Sequence, residues 1–366
     1  MDKKKIQFLF SGEIFKLPPF LTILDCLKDE FTLKVLCYET AVNFSKLQDR
    51  YQNDDIEFEN VSERIIDRSF SNRVKGKLRR SLNVETIFHK KAKEVIGKSN
   101  YDKLWIIHEN TLEEVKDLLH GHRFTISMYE LNDARGQFLN NLKEAFKEAE
   151  EIVVCEPNRA SIMRTWMQLK TTPTVVPNKP LQHPRQRNIQ LKKDYGFDGK
   201  KIVLYQGHIQ KNRNVDAFCK ALSEMPDFIL VLMGSRTDYR DLLQQTYPNV
   251  KFIDFVNPPE HLYITSHAYI GVVKYDYVDL NSIFCAPNKT YEYAGFGIPM
   301  VANDIPGLVN SVGRFGAAVC IDTDNVNDIK NAIVEIDNNY QSYCENALRF
   351  YDDFDVRATL LEIANR

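Results

Sequence analysis

Short runs of apolar, β-branched and aromatic residues recur along the chain, separated by stretches whose apolar positions repeat at helical spacing. Residues 6–10, 33–37, 104–107, 125–128, 152–155 and 174–176 read as buried strands, and 20–28 and 139–149 are among the helical patterns between them. A second series, at 202–206, 228–233, 251–255, 269–273, 299–302 and 317–321, repeats the alternation. Strand and helix in regular turn predict an α/β fold of two Rossmann-like parallel sheets. The proline-containing polar stretch 177–187 lies between the two series and is the expected boundary. A final helical pattern covers about 346–365.

Residues 287–307 combine a helix, a sharp stop and a strand. Pro287 suits a first helical turn, Gly295 and Gly297 can end the helix, and 298–302 is a short buried strand. Lys289 then falls where unpaired N–H groups already present positive charge, which costs roughly 0.3 kcal/mol or more unless an anion lies between. Glu292, three residues on, shares its helical face. A phosphate beside Lys289 and a ribose diol beside Glu292 would satisfy both. A plain surface pair is the competing reading, worth about 0.2–0.5 kcal/mol and less favourable in this order.

Further candidates lie at the ends of predicted strands, where open α/β sheets bind ligands. The loop Tyr205-Gln-Gly-His-Ile-Gln-Lys-Asn-Arg offers Gly207 and the cations His208, Lys211 and Arg213 as a diphosphate cradle, and Gly234 ends the next strand. In the first half Gly12, His108 and Glu130, with Tyr129 and Asp133, are placed to face a second substrate. His120-Gly-His122 and Asp322-Thr-Asp324 lack companion ligands and read as a polar loop and a turn, so no metal is expected.

The segments Gly271-Val-Val-Lys-Tyr-Asp and Ala286-Pro-Asn-Lys-Thr-Tyr-Glu-Tyr-Ala-Gly-Phe-Gly-Ile-Pro-Met-Val-Ala resemble the donor site of retaining glycosyltransferases of the GT-B fold, family 4 or group 1. In that family Pro-x-Lys-x-x-Glu-Tyr-x-x-x-Gly-x-Pro holds a nucleotide diphosphate through its Lys and the ribose through its Glu, roles that would fall on Lys289 and Glu292. Arg213 matches the later cation of the family's Gly-Arg loop, while His208 replaces its first Arg. Gly234-Ser235-Arg236 resembles a Gly-x-Gly loop without the second glycine. A sugar-contacting Glu common in the family is Phe284 here, which leaves Asp279, Asn281 or Ser282 for that contact, Asn281 being chosen.

The resemblance implies two Rossmann-like domains facing across a cleft. Residues 1–180 would be the acceptor domain, 181–345 the donor domain, and 346–366 a C-terminal helix returning to the first. It further implies sugar transfer from a nucleotide diphosphate sugar to a glycan, lipid-linked or protein acceptor, with retention and with neither metal nor cofactor. Arg213 and Lys289 would be the catalytic cations, and Gly207, His208, Gly234, Asn281, Lys289, Thr290 and Glu292 the donor-binding set. Gly12, His108 and Glu130 would lie on the acceptor side. A nucleotide-sugar epimerase of related fold and a non-catalytic nucleotide-sugar or glycan-binding partner subunit are the alternatives.

Composition narrows the setting. The 366 residues are 43% hydrophobic and 27% charged with a formal net charge of -2, which suits soluble globular domains and not a nucleic-acid binder. The apolar run at 6–10 is too short for a signal peptide, no stretch reaches a membrane span, and seven scattered cysteines form no Cys-x-x-Cys pair. A cytoplasmic location is expected. The segment 64–98 carries eleven Lys/Arg against three acidic residues and suits peripheral contact with anionic lipid at the inner face of a membrane, in keeping with cell-envelope glycan assembly, or an acidic acceptor, with a solvated charged face as the competing reading.

Overall fold

The computed structural model describes residues 3–61, 86–187 and 199–366, with 190, 193, 196 and 197. Two compact units emerge: Met1–Val176 with Val356–Arg366, and Pro177–Asp355.

The first unit holds β1 (Lys5–Phe10), β2 (Thr32–Cys37), β3 (Ile56–Asn60), β4 (Lys103–Ile107), β5 (Phe124–Met128), β6 (Glu151–Val154) and β7 (Thr174–Val175). They form one parallel sheet in the order β3-β2-β1-β4-β5-β6-β7. Strands β4 and β5 are buried along their whole length, which is why they read as continuous apolar runs. Strand β3 was not expected. Its sequence Ile-Glu-Phe-Glu-Asn alternates at a sheet edge, with glutamates on the exposed side, and offers no apolar run.

The second unit holds β8 (Lys201–Gln206), β9 (Phe228–Met233), β10 (Lys251–Ile253), β11 (Ile270–Val273), β12 (Met300–Asn303) and β13 (Ala318–Ile321), in the order β10-β9-β8-β11-β12-β13 and again parallel. Alternate residues serve two cores: Ile202, Leu204 and Met300 face one, and Val203, Tyr205 and Val301 the other. Both units are therefore doubly wound, with the order of strand addition reversing between β1 and β4 and between β8 and β11.

The closing helical pattern is two helices, Tyr340–Asp352 and Val356–Asn365, not one. Ala347, Phe350 and Tyr351 of the first belong to the core of the second unit. The second helix packs against the Pro18–Leu27 helix of the first unit, and its Ile363 carbonyl accepts from the buried Lys103 Nζ at 2.7 Å. Within the basic segment 64–98, residues 64–85 lie outside the described residues. In the Ile87–Lys98 helix that ends it, Lys90, Lys93 and Lys98 are exposed. Among the described residues no helix is long and apolar enough to cross a membrane.

Candidate functional site

The site is built on β8, β11 and the Asn288–Ala294 helix. Pro287 caps that helix and Gly295 closes it. Tyr293 fixes its height above the sheet: the ring is fully buried and its hydroxyl donates to the Leu204 carbonyl in β8 at 2.8 Å. This close approach needs Gly271 in β11, where a Cβ would stand 2.5 Å from the Tyr293 ring. The helix therefore delivers Lys289 and Glu292 to the end of β8, at the reversal point of the sheet.

Lys289 is 7% exposed and its Nζ has no hydrogen-bond partner among the described residues. Aromatic faces surround it instead, Tyr205 at 4.8 Å and Tyr275 at 5.6 Å from Nζ to ring centre. The Arg213 guanidinium lies 4.5 Å from the Tyr275 ring, so two cations share one aromatic wall. Burial first, and Arg213 second, push the Lys289 ammonium down to about 7. Gly207, at a φ of 137°, leaves room for the amine, since a Cβ there would sit 3.1 Å from Nζ.

Glu292 is held on both carboxylate oxygens. His261 Nε2 lies 3.1 Å from Oε1, and Gln206 Nε2 donates to Oε2. Neither residue was expected, because a glutamine ending a strand and a histidine opening the His261–Thr265 helix carry no motif. Behind the helix, His183 Nε2 meets the Glu292 carbonyl at 3.0 Å, and burial pushes its pKa down to about 4.

Residues 200–339 match the family model for glycosyl transferases group 1. Comparison with curated proteins gives no match. Among solved structures, the chain is similar to a sucrose-phosphate synthase from Thermosynechococcus elongatus, at 16% identity and a TM-score of 0.72 over 99% of this chain and 98% of that one. It is likewise similar to Anabaena HepE in complex with UDP-glucose, at 14% identity and a TM-score of 0.74 over the same shares. A third is S. aureus MnaA with UDP, at 13% identity and 0.66 over 99% of this chain and 96% of that one. The chain has the GT-B fold, and its residues 200–339 are similar to the group 1 glycosyl transferase domain. Fold and family match together support a glycosyltransferase.

In this GT-B chain the other donor-side candidates lie around the same loops. His208 is exposed, and burial, Arg213 and Lys289 lower its pKa in that order. Its carbonyl accepts from the Tyr205 hydroxyl at 2.7 Å. Gly234 packs directly on the Gly207 carbonyl, where any Cβ would collide. Arg240, 4% exposed, donates to the Gly234 carbonyl at 2.7 Å and steadies that loop. The Thr290 hydroxyl donates to the Pro287 carbonyl at 2.8 Å, inside the first turn of its own helix. Asn281 stands half-buried in the Leu280–Ile283 helix, which Asp279 caps by accepting from Ser282 N at 2.7 Å.

Asp322-Thr-Asp324 forms a turn, with Asp324 N donating to Asp322 Oδ1 at 2.9 Å. Its purpose is a lysine: the fully buried Lys274 reaches Thr323 and Asp324, each at 3.0 Å, and Asp276 at 3.1 Å. The loop that carries Tyr275 is thereby anchored. Among the described residues no three His, Cys, Asp or Glu side chains gather to hold a metal ion.

In the first unit Gly12, His108 and Glu130 follow β1, β4 and β5, three adjacent parallel strands, so they share the C-terminal end of the sheet. A Cβ on Gly12 would meet the Phe10 ring at 2.6 Å. His108 adopts a φ of 76° and caps the Glu109–Val115 helix, its Nδ1 accepting from Asn110 N at 3.2 Å. Glu130 is exposed. Beneath them lies the unexpected Glu109, 1% exposed, which accepts from Tyr129 N at 3.4 Å and Asn132 Nδ2 at 2.7 Å and so shapes the loop after β5.

Proposed function

We propose that the protein transfers a glycosyl group from a UDP-sugar to a hydroxyl of a glycan, lipid-linked or protein acceptor, with retention of configuration. The observation that carries the reading is Lys289. A buried ammonium without an acceptor, beside a second cation, is costly in isolation and becomes favourable when a polyanion enters between them. A diphosphate supplies that charge, and HepE, similar in fold, holds UDP-glucose.

In the reaction the bond from the sugar's anomeric carbon to the diphosphate breaks and one to the acceptor oxygen forms on the same face. The acceptor's proton passes to the departing phosphate. Arg213 and Lys289 stabilise the charge that grows on that phosphate, and loss of either lowers kcat by about 10²-fold or more. Glu292 takes the ribose hydroxyls, and residues 1–180 present the acceptor. The cationic pair does the work often given to a metal ion. The exposed lysines of the Ile87–Lys98 helix, with the rest of segment 64–98, support contact with an anionic membrane surface.

The test is release of UDP from UDP-glucose and from UDP-N-acetylglucosamine, followed alongside the sugar's identity, with Arg213→Ala as control. A transferase releases UDP as the sugar passes to acceptor or water, and leaves the sugar's other stereocentres unchanged. Interconversion of the sugar without net release of UDP marks an epimerase. Binding with neither marks a non-catalytic subunit.

A further inference from the structure

Glu292 does not stand alone, and its partners define how many hydrogen bonds it has left. An ionised carboxylate accepts at about four lone-pair positions. Gln206 Nε2 donates to Oε2 and takes one position there, while His261 Nε2 stands at ion-pair distance, 3.1 Å, from Oε1. At least one acceptor position on each oxygen remains, and two hydroxyl donors on adjacent carbons match that pair. The partners are fixed in turn. Thr265, fully buried, donates to Gln206 Oε1 at 2.8 Å, which turns the Gln206 amide nitrogen towards Glu292. The His261 carbonyl lies 3.0 Å from the same hydroxyl and closes the network.

His261 itself is 8% exposed, and its Nδ1 is buried without a hydrogen-bond partner among the described residues. The ring's polar approach is therefore through Nε2, towards the Glu292 carboxylate. A glutamate side chain left unheld loses roughly 1.5–2 kcal/mol of rotamer freedom when a ligand orders it, and prior ordering removes that cost.

We infer that His261 and Gln206 are positioning residues that orient the Glu292 carboxylate for a ribose diol. Recognition of a ribonucleotide then depends on the His261–Thr265 helix as well as on Glu292. The inference rests on the reading of Glu292 as the ribose-binding group.

Calorimetric Kd values for UDP and 2′-deoxy-UDP test it on the wild type, His261→Phe, His261→Gln and Gln206→Met. The wild type binds UDP about tenfold more tightly than 2′-deoxy-UDP, the worth of about 1.4 kcal/mol. In His261→Phe and Gln206→Met that ratio falls towards one because UDP binding weakens while 2′-deoxy-UDP binding changes little. His261→Gln, whose amide can donate to the same oxygen, recovers most of the ratio. A purely structural role would weaken both ligands together and leave the ratio intact. An unchanged ratio in the variants therefore overturns the inference while the Glu292 reading stands. A wild type that binds the two equally, or neither, overturns the Glu292 reading and the inference with it.

Discussion

The Lys289 ammonium stands 4.8 Å from the centre of the Tyr205 ring, where a carboxylate would ordinarily be expected. An aromatic face steadies a cation without neutralising it, by about 1–2 kcal/mol when desolvated. The lysine is thus held in place without a neutralising partner among the described residues.

Binding of the donor should accordingly depend on pH. Burial, then Arg213, brings the free Lys289 down to about 7, while a bound diphosphate restores the charge. Binding takes up a proton when the free amine is neutral and none when it is already charged. Affinity for UDP-glucose, whose diphosphate does not titrate here, is steady below about pH 6.5 and falls as pH rises to about 9. Lys289→Arg, charged throughout, removes the slope. Calorimetry across that range checks both.

Gly271→Ala tests the link between the sheet and the helix. Its Cβ would meet the Tyr293 ring at 2.5 Å in a fully buried site, an overpacking that costs about 1–3 kcal/mol. Chemical denaturation reads the loss. UDP-glucose affinity falls with it, because Lys289 and Glu292 ride on the same helix.

His183 sets a stability window. Burial lowers its pKa from 6.5 to about 4, so the unfolded chain takes up this proton before the folded one does. Stability declines as pH falls from about 6.5 to 4 and this contribution levels off below. His183→Gln, which retains a donor for the Glu292 carbonyl and does not titrate, shows a shallower decline in urea midpoints over the same window.

Lys274 predicts an asymmetry. Removing its carboxylates leaves a buried ammonium, whereas removing the lysine leaves two carboxylates of which Asp324 is 58% exposed. The double variant Asp276→Ala with Asp324→Ala loses about 3–5 kcal/mol, and Lys274→Met loses less. Denaturation midpoints of the two variants decide it.

Much of this was legible in the sequence, for a physical reason. Strands buried on both faces of a parallel sheet must be continuously apolar, so β4, β5, β8 and β9 announce themselves. Strand β3, half-wet at an edge, does not. The break between the last two helices falls at Asp353-Phe354-Asp355, polar enough for a turn but without glycine or proline to mark it. Lys289 and Glu292 stood out because they lie in one short helix with a fixed offset. Their companions did not: Gln206, His261, Tyr205 and Tyr275 come from three other segments, and only the sheet order brings those segments together. The anchoring role of Lys274, just beyond β11, had no local signal because its partner Thr323 lies 49 residues on.

The central claim is that Lys289 and Glu292 form the site of a nucleoside diphosphate, and a thermal-shift titration with UDP tests it most directly. Ligand that binds only the folded state raises the midpoint with concentration. The account predicts a concentration-dependent rise for the wild type, lost in Lys289→Ala and strongly reduced in Glu292→Ala, with both variants folded. A wild type unmoved by millimolar UDP, or an equal rise in all three proteins, would contradict it.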